Sequence, residues 1–484
     1  MAAFPFFSFC SALLAISVGI FIQFNAKQSK PYMDEIFHVP QAQKYCHYKF
    51  QDWDPKITTL PGIYLFSFLC LRALSYFLGQ ELHLLCSTFL LRMTNVLFLM
   101  GNVWILRQLL ICIHSLRHCD KKSAQKQKEG KAGENEEESE ITRCSVTALV
   151  LGVFPVLYFF TFLYYTDSGS VFFVLLTYYL SLRGNHFAAA LAGSASIFLR
   201  QTNVIWVIFT AGVTALRTIQ QHMDKTALGD SPGLLVELKA YCIMFCKHFF
   251  ELFKCLWSYG LVVLVFAGFV VWNGGIVVGD KSQHKACLNF PQVFYLSFFT
   301  LAFSSPLLLL PLDILSYIRR LRSILRKPLL FIALLLVTTS IMTFTVYKFT
   351  FIHEYLLADN RHYPFYVWRK VYARHQLVKY LMIPAYMFAG FCIHEKLTLK
   401  QHRLWVLIFY TCVAVVTVPQ KLLEFRYFII PYIFYRLHVP LVSYVRLLTE
   451  CVLYVAVNAF TIYLFLEKPF SWSHSPEEVQ RFMW

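Results

Sequence analysis

The 484-residue sequence predicts an all-α polytopic membrane protein, and three observations carry that expectation. Hydrophobic residues make up 57% and charged residues 15%, where a soluble domain carries roughly 25% charge. Mean hydropathy is +0.53. The apolar residues also fall in solid runs, not in the alternation that a β-barrel needs. Together these exclude a soluble enzyme, a disordered chain and a disulfide-rich secreted domain.

Residues 4–24 form the first apolar run, closed by Gln23-Phe24-Asn25-Ala26-Lys27. It lacks a basic leader and a small-residue cleavage site, so it reads as a retained span starting in the cytosol. A polar, aromatic segment follows at 25–60. Further runs lie near 61–79, 83–112, 144–164, 168–182, 187–216, 256–278, 291–312, 328–350, 377–393, 404–419, 427–445 and 449–466. At about 20 residues per crossing, this gives roughly a dozen crossings in one domain spanning 1–484. Two hydrophilic inserts interrupt it. Residues 117–143 run from Lys121-Lys122 to Glu136-Glu137-Glu138 and read as a disordered cytosolic loop. Residues 217–255, with a Gly-Asp-Ser-Pro-Gly turn at 229–233, read as a second cytosolic loop.

The charge balance sets the orientation. Lys plus Arg is 44 against 27 Asp plus Glu, a formal net charge of +17. The basic residues gather in short segments between apolar runs, such as Arg319, Arg320, Arg322, Arg326 and Lys327. That is the positive-inside pattern of a chain whose partner is the bilayer, not nucleic acid. The seven Lys and Arg of 117–143 favour the cytosol, which makes 61–79 interfacial and splits 187–216 into a short pair broken around Arg200-Gln201-Thr202-Asn203. Segments 30–60, 273–290, 351–376 and 419–427 then share the lumenal side with Asp167 and Arg200. Most of the 14 cysteines, Cys86 among them, sit in apolar runs and read as small hydrophobes. Cys46 and Cys287 lie in hydrophilic segments and are the candidates for a lumenal pair.

Five polar clusters carry candidate chemistry. Asp34 and Glu35 follow the first span, with His38 four residues on. A carboxylate at the edge of lipid has a pKa raised by desolvation and can serve as a base for a sugar hydroxyl; a solvated acidic pair is the plainer reading. Asp52-Trp53-Asp54 has the D-x-D form that can carry a metal and a nucleotide sugar, and equally fits an interfacial turn. In Tyr165-Thr166-Asp167-Ser168, Asp167 is either a helix cap or a second carboxylate of the same pocket. Asp359, Arg361, His362, Arg369 and Lys370 lie among aromatics, a composition that holds a phosphate and a sugar or forms a juxtamembrane belt. Lys421, Glu424 and Arg426 stand at the mouth of a span, where ionisable groups are costly unless paired or used; the same holds for Arg200. GxGxxG, Walker A, HExxH and GxSxG motifs are all absent. Without a nucleotide site, the activated group would come from the bilayer, as a lipid phosphate.

Several long motifs make the resemblance. They are Tyr32-Met33-Asp34-Glu35-Ile36-Phe37-His38, Phe198-Leu199-Arg200-Gln201-Thr202-Asn203, Asn273-Gly274-Gly275-Ile276-Val277-Val278-Gly279-Asp280, Leu356-Leu357-Ala358-Asp359-Asn360-Arg361-His362-Tyr363, Pro419-Gln420-Lys421-Leu422-Leu423-Glu424-Phe425-Arg426-Tyr427-Phe428 and Gln480-Arg481-Phe482-Met483-Trp484. They closely resemble the dolichyl-phosphate-glucose-dependent α-1,2-glucosyltransferases of the endoplasmic reticulum, over most of 31–484 apart from the two inserts. The resemblance implies a GT-C fold with a lumenal active site in the endoplasmic reticulum membrane. It implies dolichyl phosphate glucose as donor and the diglucosylated dolichyl-diphosphate-linked oligosaccharide as acceptor. In that family an acid of the first lumenal loop is the base, a position matched by Asp34 with Glu35 adjacent; Asp167 is the further catalytic candidate. Arg361, His362, Arg369, Arg426 and Arg200 become candidates for the donor phosphate, and His38, Asp54, Asp359 and Lys421 for the substrate pocket. No cofactor is implied, although some GT-C members use a divalent metal. The rival reading is a non-enzymatic transporter or channel-modulating subunit. Charges gathered at span ends, with no internal repeat, disfavour it.

Overall fold

The computed structural model describes residues 5–122, 132–223, 233–282 and 286–484. Its longer helices are α1 (Phe6–Lys27), α2 (Glu35–Cys46), α3 (Gly62–Leu78), α4 (Thr88–Lys122), α5 (Ala132–Gly152), α6 (Asp167–Leu182), α7 (His186–Leu199), α8 (Val204–His222), α9 (Leu234–Lys247), α10 (Phe249–Asn273), α11 (Pro291–Phe303), α12 (Pro311–Leu325), α13 (Pro328–Phe349), α14 (Ile383–Thr398), α15 (Arg403–Thr417), α16 (Ile429–His438) and α17 (Tyr444–Glu467). A small antiparallel hairpin follows, β1 (Phe470–Trp472) and β2 (Ser475–Gln480). Among the described residues, six helices are long and apolar enough to cross a membrane, and five shorter apolar helices accompany them. The protein is an all-α membrane protein.

Sequence punctuation accounts for many of the boundaries. Proline occupies the first turn of α11, α12 and α13, where its missing N–H costs nothing. Helix α10 stops at Gly274, whose φ of 67° gives the left-handed cap that ends a helix. The turn beyond it packs on the 55–58 segment, with Asp280 N–H donating to the Pro55 carbonyl at 2.7 Å and Val278 N–H to that of Thr58. Gly279, at φ +65°, lies too close to the Pro55 and Ile57 carbonyls to carry a Cβ.

The core sits between α4, α6 and α7, extended by α8, α16 and α17. Aromatic stacking fills it: Trp206 on Phe434 at 4.9 Å, Phe154 on Tyr432 at 4.5 Å and Phe24 on Phe465 at 4.6 Å. Buried charges are paired, as an apolar interior demands. Arg436 meets Glu450 at 2.8 Å, and Asp313 meets Lys396 and Arg446.

Three expectations change. Residues 117–122 continue α4 and 132–143 open α5, so both flanks of the first insert are helical, and its centre, 123–131, lies outside the described residues. The second insert is largely helical too: α8 runs to His222, α9 covers Leu234–Lys247 and α10 begins at Phe249. The turn at 229–233 falls almost wholly outside the described residues. Lys and Glu, abundant in the first insert, and Lys and Leu, abundant in the second, are strong helix formers, and polarity alone does not forbid a helix. Finally, Cys46 is bonded to Cys86, not to Cys287, which is a free thiol. Cys46 ends α2 and Cys86 lies between α3 and α4; the run 83–112 is broken there, so Cys86 is not inside a span. The expected break at Arg200–Asn203 is present, as an extended Arg200 and a single 3₁₀ turn between α7 and α8.

Candidate active site

The four polar segments meet. Cys287 N–H donates to the Pro419 carbonyl at 3.2 Å, and Asn289 N–H to that of Val418 at 2.9 Å. Together with the turn on Pro55, these bonds join 273–290 to both 30–60 and 419–427. The 30–60, 351–376 and 419–427 segments then close around a cavity of about 370 Å³. Its lining includes Asp34, Asp359, Arg361, His362, Glu424 and Arg426, with Met33, Leu422, Trp472 and Trp484 among the apolar members.

Asp34 stands at the N-terminus of α2 and its side chain is 44% exposed. Its backbone N–H donates to the Tyr165 hydroxyl at 3.3 Å. The residue before it, Met33, has a φ of 55°. A non-glycine residue there is strained, and such strain gathers where a side chain must be aimed. The neighbouring Glu35 is the opposite case. Its side chain is 0% exposed, and Arg92 from α4 grips it through two bonds of 2.8 and 2.6 Å. The N–H groups of Tyr32 and Tyr164 donate to the same carboxylate at 3.0 and 2.6 Å. Arg92 also donates to the carbonyls of Gln28 and Lys30. Glu35 is therefore removed from the catalytic candidates: it ties the loop behind α1 to α4, and every lone pair it offers is engaged.

Arg426 is the hub on the other wall, its side chain 12% exposed. It reaches Glu424 at 2.7 Å, Asp34 at 3.2 Å and Asp167 at 3.9 Å. The rings of Phe160 and Tyr165 lie 5.3 and 5.2 Å from its guanidinium. Asp167, only 2% exposed, also pairs with Arg200 at 3.1 Å, and Arg200 lies over the Tyr427 ring. Three carboxylates thus share two guanidinium groups; Asp34 and Glu424 both line the cavity, and Asp34, 44% exposed against 17%, is the more open. Desolvation pulls the Asp34 pKa up, but Arg426, His38 and His362 outweigh it, and the group is held below the usual carboxylate value. This corrects the expected rise: Arg426, the largest of these lowering influences, lies 392 residues from Asp34 in the sequence. His38, on the next turn of α2, hydrogen-bonds Tyr64, and burial pushes its pKa down.

Arg361 is held by Asp359 through Nε and Nη2, both at 2.8 Å, and by Gln480 at 3.1 Å. Despite desolvation, these bonds lower the Asp359 pKa. His362 Nδ1 hydrogen-bonds the Trp484 carbonyl oxygen at 2.8 Å. Three sequence candidates stay apart. Arg369 is exposed over the Phe365 ring and does not line the cavity. Lys421 is exposed beside it, and Asp54 accepts the Lys56 N–H within its own turn. Asp52 is exposed, so the D-x-D segment is a loop turn whose two carboxyls do not converge on the cavity. Among the described residues, the one group of ligand-type side chains close enough to share an ion is His222, His248 and Glu251, at the junction of α8 and α10 and outside the cavity lining.

A family model described as the DIE2/ALG10 family matches residues 28–437. The chain belongs to the DIE2/ALG10 family. It is 45% identical over 98% of its length, and 97% of the relative's, to a rat protein named Dol-P-Glc:Glc(2)Man(9)GlcNAc(2)-PP-Dol alpha-1,2-glucosyltransferase. A human protein of the same name is 44% identical over the same shares, and one from Arabidopsis thaliana is 32% identical over 98% of both chains. No solved structure matches.

In this DIE2/ALG10 member, sequence reasoning missed Arg92, Tyr165 and the two cavity tryptophans. Arg92 had a signal, as one of two arginines inside the apolar run 83–112. Trp484 lay in a motif of the resemblance without a role. Trp472 had no sequence signal, since only the hairpin brings it to Arg361.

Proposed function

We propose that this protein transfers glucose from dolichyl phosphate glucose to Glc(2)Man(9)GlcNAc(2)-PP-Dol, forming the terminal α-1,2 linkage, at the lumenal face of the endoplasmic reticulum membrane. The observation that carries this reading is Asp34, an ionised carboxylate open to a cavity beside Arg426, Arg361 and His362. The near full-length likeness to enzymes bearing that name supplies the substrates.

The chemistry follows from the charges. The acceptor hydroxyl attacks C1 of the glucose while Asp34 takes its proton. The bond from C1 to the phosphate oxygen breaks, and its electron pair leaves on dolichyl phosphate. A β-linked donor and an α-linked product require one inversion and one base. The phosphate is already a good leaving group, so no second carboxyl need act as acid, unlike in glycoside hydrolysis. Arg426 links the two halves. Once Asp34 is protonated, its hold on Arg426 weakens, and the guanidinium's charge is left to stabilise the negative charge developing on the phosphate. Arg361 adds a second positive charge on that side, with the His362 ring beside it. Asp167 and Glu424 keep Arg426 fixed and charged.

The guanidinium of Arg426 already supplies the positive charge among Asp34, Asp167 and Glu424. We therefore read the transfer as metal-independent, with turnover unchanged by chelator; abolition by chelator and recovery with a divalent ion would reverse that assignment. The disulfide supports the side. Cys46 closes the same helix that Asp34 opens, and disulfides persist in oxidising compartments such as the endoplasmic reticulum lumen. The test is the lipid-linked oligosaccharide profile of cells depleted of this protein. Build-up of the diglucosylated species is expected; an unaltered profile would reject the function.

A further inference from the structure

A second cluster of polar side chains lies far from the cavity. His222 ends α8, His248 sits in the turn between α9 and α10, and Glu251 lies in the first turn of α10. His222 Nε2 is 2.9 Å from Glu251 Oε2, and His248 Nδ1 is 3.4 Å from the same oxygen. The two imidazole rings are 4.3 Å apart between centres. One ligand atom from each residue thus falls within 4.8 Å of the other two. Helices hold the cluster in place. Gln220 donates to the Tyr241 hydroxyl of α9 at 3.1 Å, which fastens the end of α8. His248 and Glu251 are three residues apart, the spacing that brings side chains together along a helix.

The hydrogen bonds fix what His222 offers. Its Nδ1 lies 2.9 Å from the Thr218 carbonyl oxygen, which can only accept, so Nδ1 carries the proton. Nε2 of the neutral ring is then a bare lone pair aimed at a carboxylate oxygen. Two lone pairs do not face each other at that distance without a cation between them. The cation is either a second proton on the ring or a metal ion. A proton on His222 serves that one contact, whereas an ion at the centre serves all three residues. An imidazole that gives its other N–H to a backbone carbonyl is also the usual setting of a metal-bound histidine, because that bond fixes the ring and its tautomer.

The donor set suits one class of ion. Two imidazole nitrogens and a carboxylate oxygen bind zinc at about 2.0–2.2 Å and leave a fourth place for water. Donors arranged tetrahedrally at that radius stand about 3.3 Å apart, close to the spacings found here. Glu251 is 52% exposed, so water can reach the fourth place. Magnesium and calcium prefer shells made of oxygen. We propose that His222, His248 and Glu251 bind one zinc-class divalent ion, which clips the end of α8 to the start of α10. Helix α8 has 19 residues, about 28 Å at 1.5 Å each, and Gln201–His222 is long and apolar enough to cross a membrane. The triad therefore stands at the opposite end of this span from Arg200 and Asp167. The ion takes no part in glucose transfer, and the inference stands independently of the function proposed above.

The experiment uses the full-length protein in lipid nanodiscs, purified through a tag without histidine, stripped with EDTA and titrated with zinc sulfate. Wild type, His222→Ala and Glu251→Gln are compared with His394→Ala, which removes an exposed histidine of α14 outside the triad. Wild type and His394→Ala should retain about one zinc ion per chain through gel filtration, the content of a single site. His222→Ala and Glu251→Gln should raise the zinc Kd at least about tenfold, since even an outer-shell partner is worth about 10–100-fold in metal affinity. Zinc should also raise the thermal unfolding midpoint of wild type and His394→Ala and leave that of the two triad variants unmoved. A cooperative transition without metal shows that each variant is folded. Excess magnesium should not displace the zinc. A wild type that retains no zinc would overturn the site and leave a histidine–carboxylate ion pair held by a proton. Undiminished zinc binding in folded His222→Ala and Glu251→Gln would overturn it as well, and so would displacement by magnesium.

Discussion

Replacing Arg426 with Gln removes its charge but keeps a hydrogen-bonding amide. The guanidinium lies 3.2 Å from Asp34, 2.7 Å from Glu424 and 3.9 Å from Asp167. An opposite charge at such range lowers an Asp pKa, so its loss should raise the Asp34 pKa. Two newly unbalanced carboxylates push in the same direction. Asp34 must be ionised to accept a proton, so turnover is present above its pKa and lost as pH falls through it. In the wild type that acid limb lies below the ordinary carboxylate range. In Arg426→Gln it should move to higher pH. The plateau rate should also fall, about ten- to a hundredfold, since a hydrogen bond to a charged group is worth about 1.5–3 kcal/mol. The assay is single-turnover transfer across pH with purified protein; the donor's phosphodiester stays ionised throughout. An acid limb at the same pH in both proteins would refute the claim that Arg426 sets the ionisation of Asp34.

Two further outcomes concern the scaffold. Glu35→Gln leaves Arg92 buried without its counter-ion, and breaking such a pair costs about 3–5 kcal/mol. Its thermal unfolding midpoint should drop sharply, whereas Asp34→Asn should leave it near that of the wild type; equal stability of the two variants would contradict the division of roles. The Cys46–Cys86 bond closes a separation of 40 residues, worth about 4 kcal/mol by chain entropy. Neither thiol should react with a maleimide-polymer reagent in unreduced microsomes denatured in detergent, and Cys46→Ser should lower the unfolding midpoint. Reaction of both thiols before reduction would reject the bond.

Much of the fold was legible because membrane spans announce themselves as long apolar runs, and the break at Arg200 because polar residues interrupt one. The described parts of the inserts turned out helical because helix propensity, carried by Lys and Glu in the first and by Lys and Leu in the second, is independent of polarity. At the site, Asp34, Asp359, Arg361, His362 and Arg426 were legible as ionisable groups at span ends. Their pairing was not: Arg426 and Asp34 are 392 residues apart, and no local pattern encodes that contact. For the same reason Glu35 stayed a candidate beside the preferred Asp34 until Arg92 was placed on it. The disulfide partner of Cys46 was hidden because Cys86 borders an apolar run, and only the helix break beside it shows that it lies at a loop.

The central claim is that Asp34 alone among the neighbouring acids is the base, and its most direct test is single-turnover glucose transfer by Asp34→Asn at saturating donor. The substitution keeps shape and hydrogen bonding and removes basicity. General base catalysis contributes about 10²–10⁴-fold, so the rate should fall by that factor with donor affinity and folding preserved. Near wild-type turnover in Asp34→Asn would contradict the account, the more so if a folded Asp167→Asn were inactive beside it.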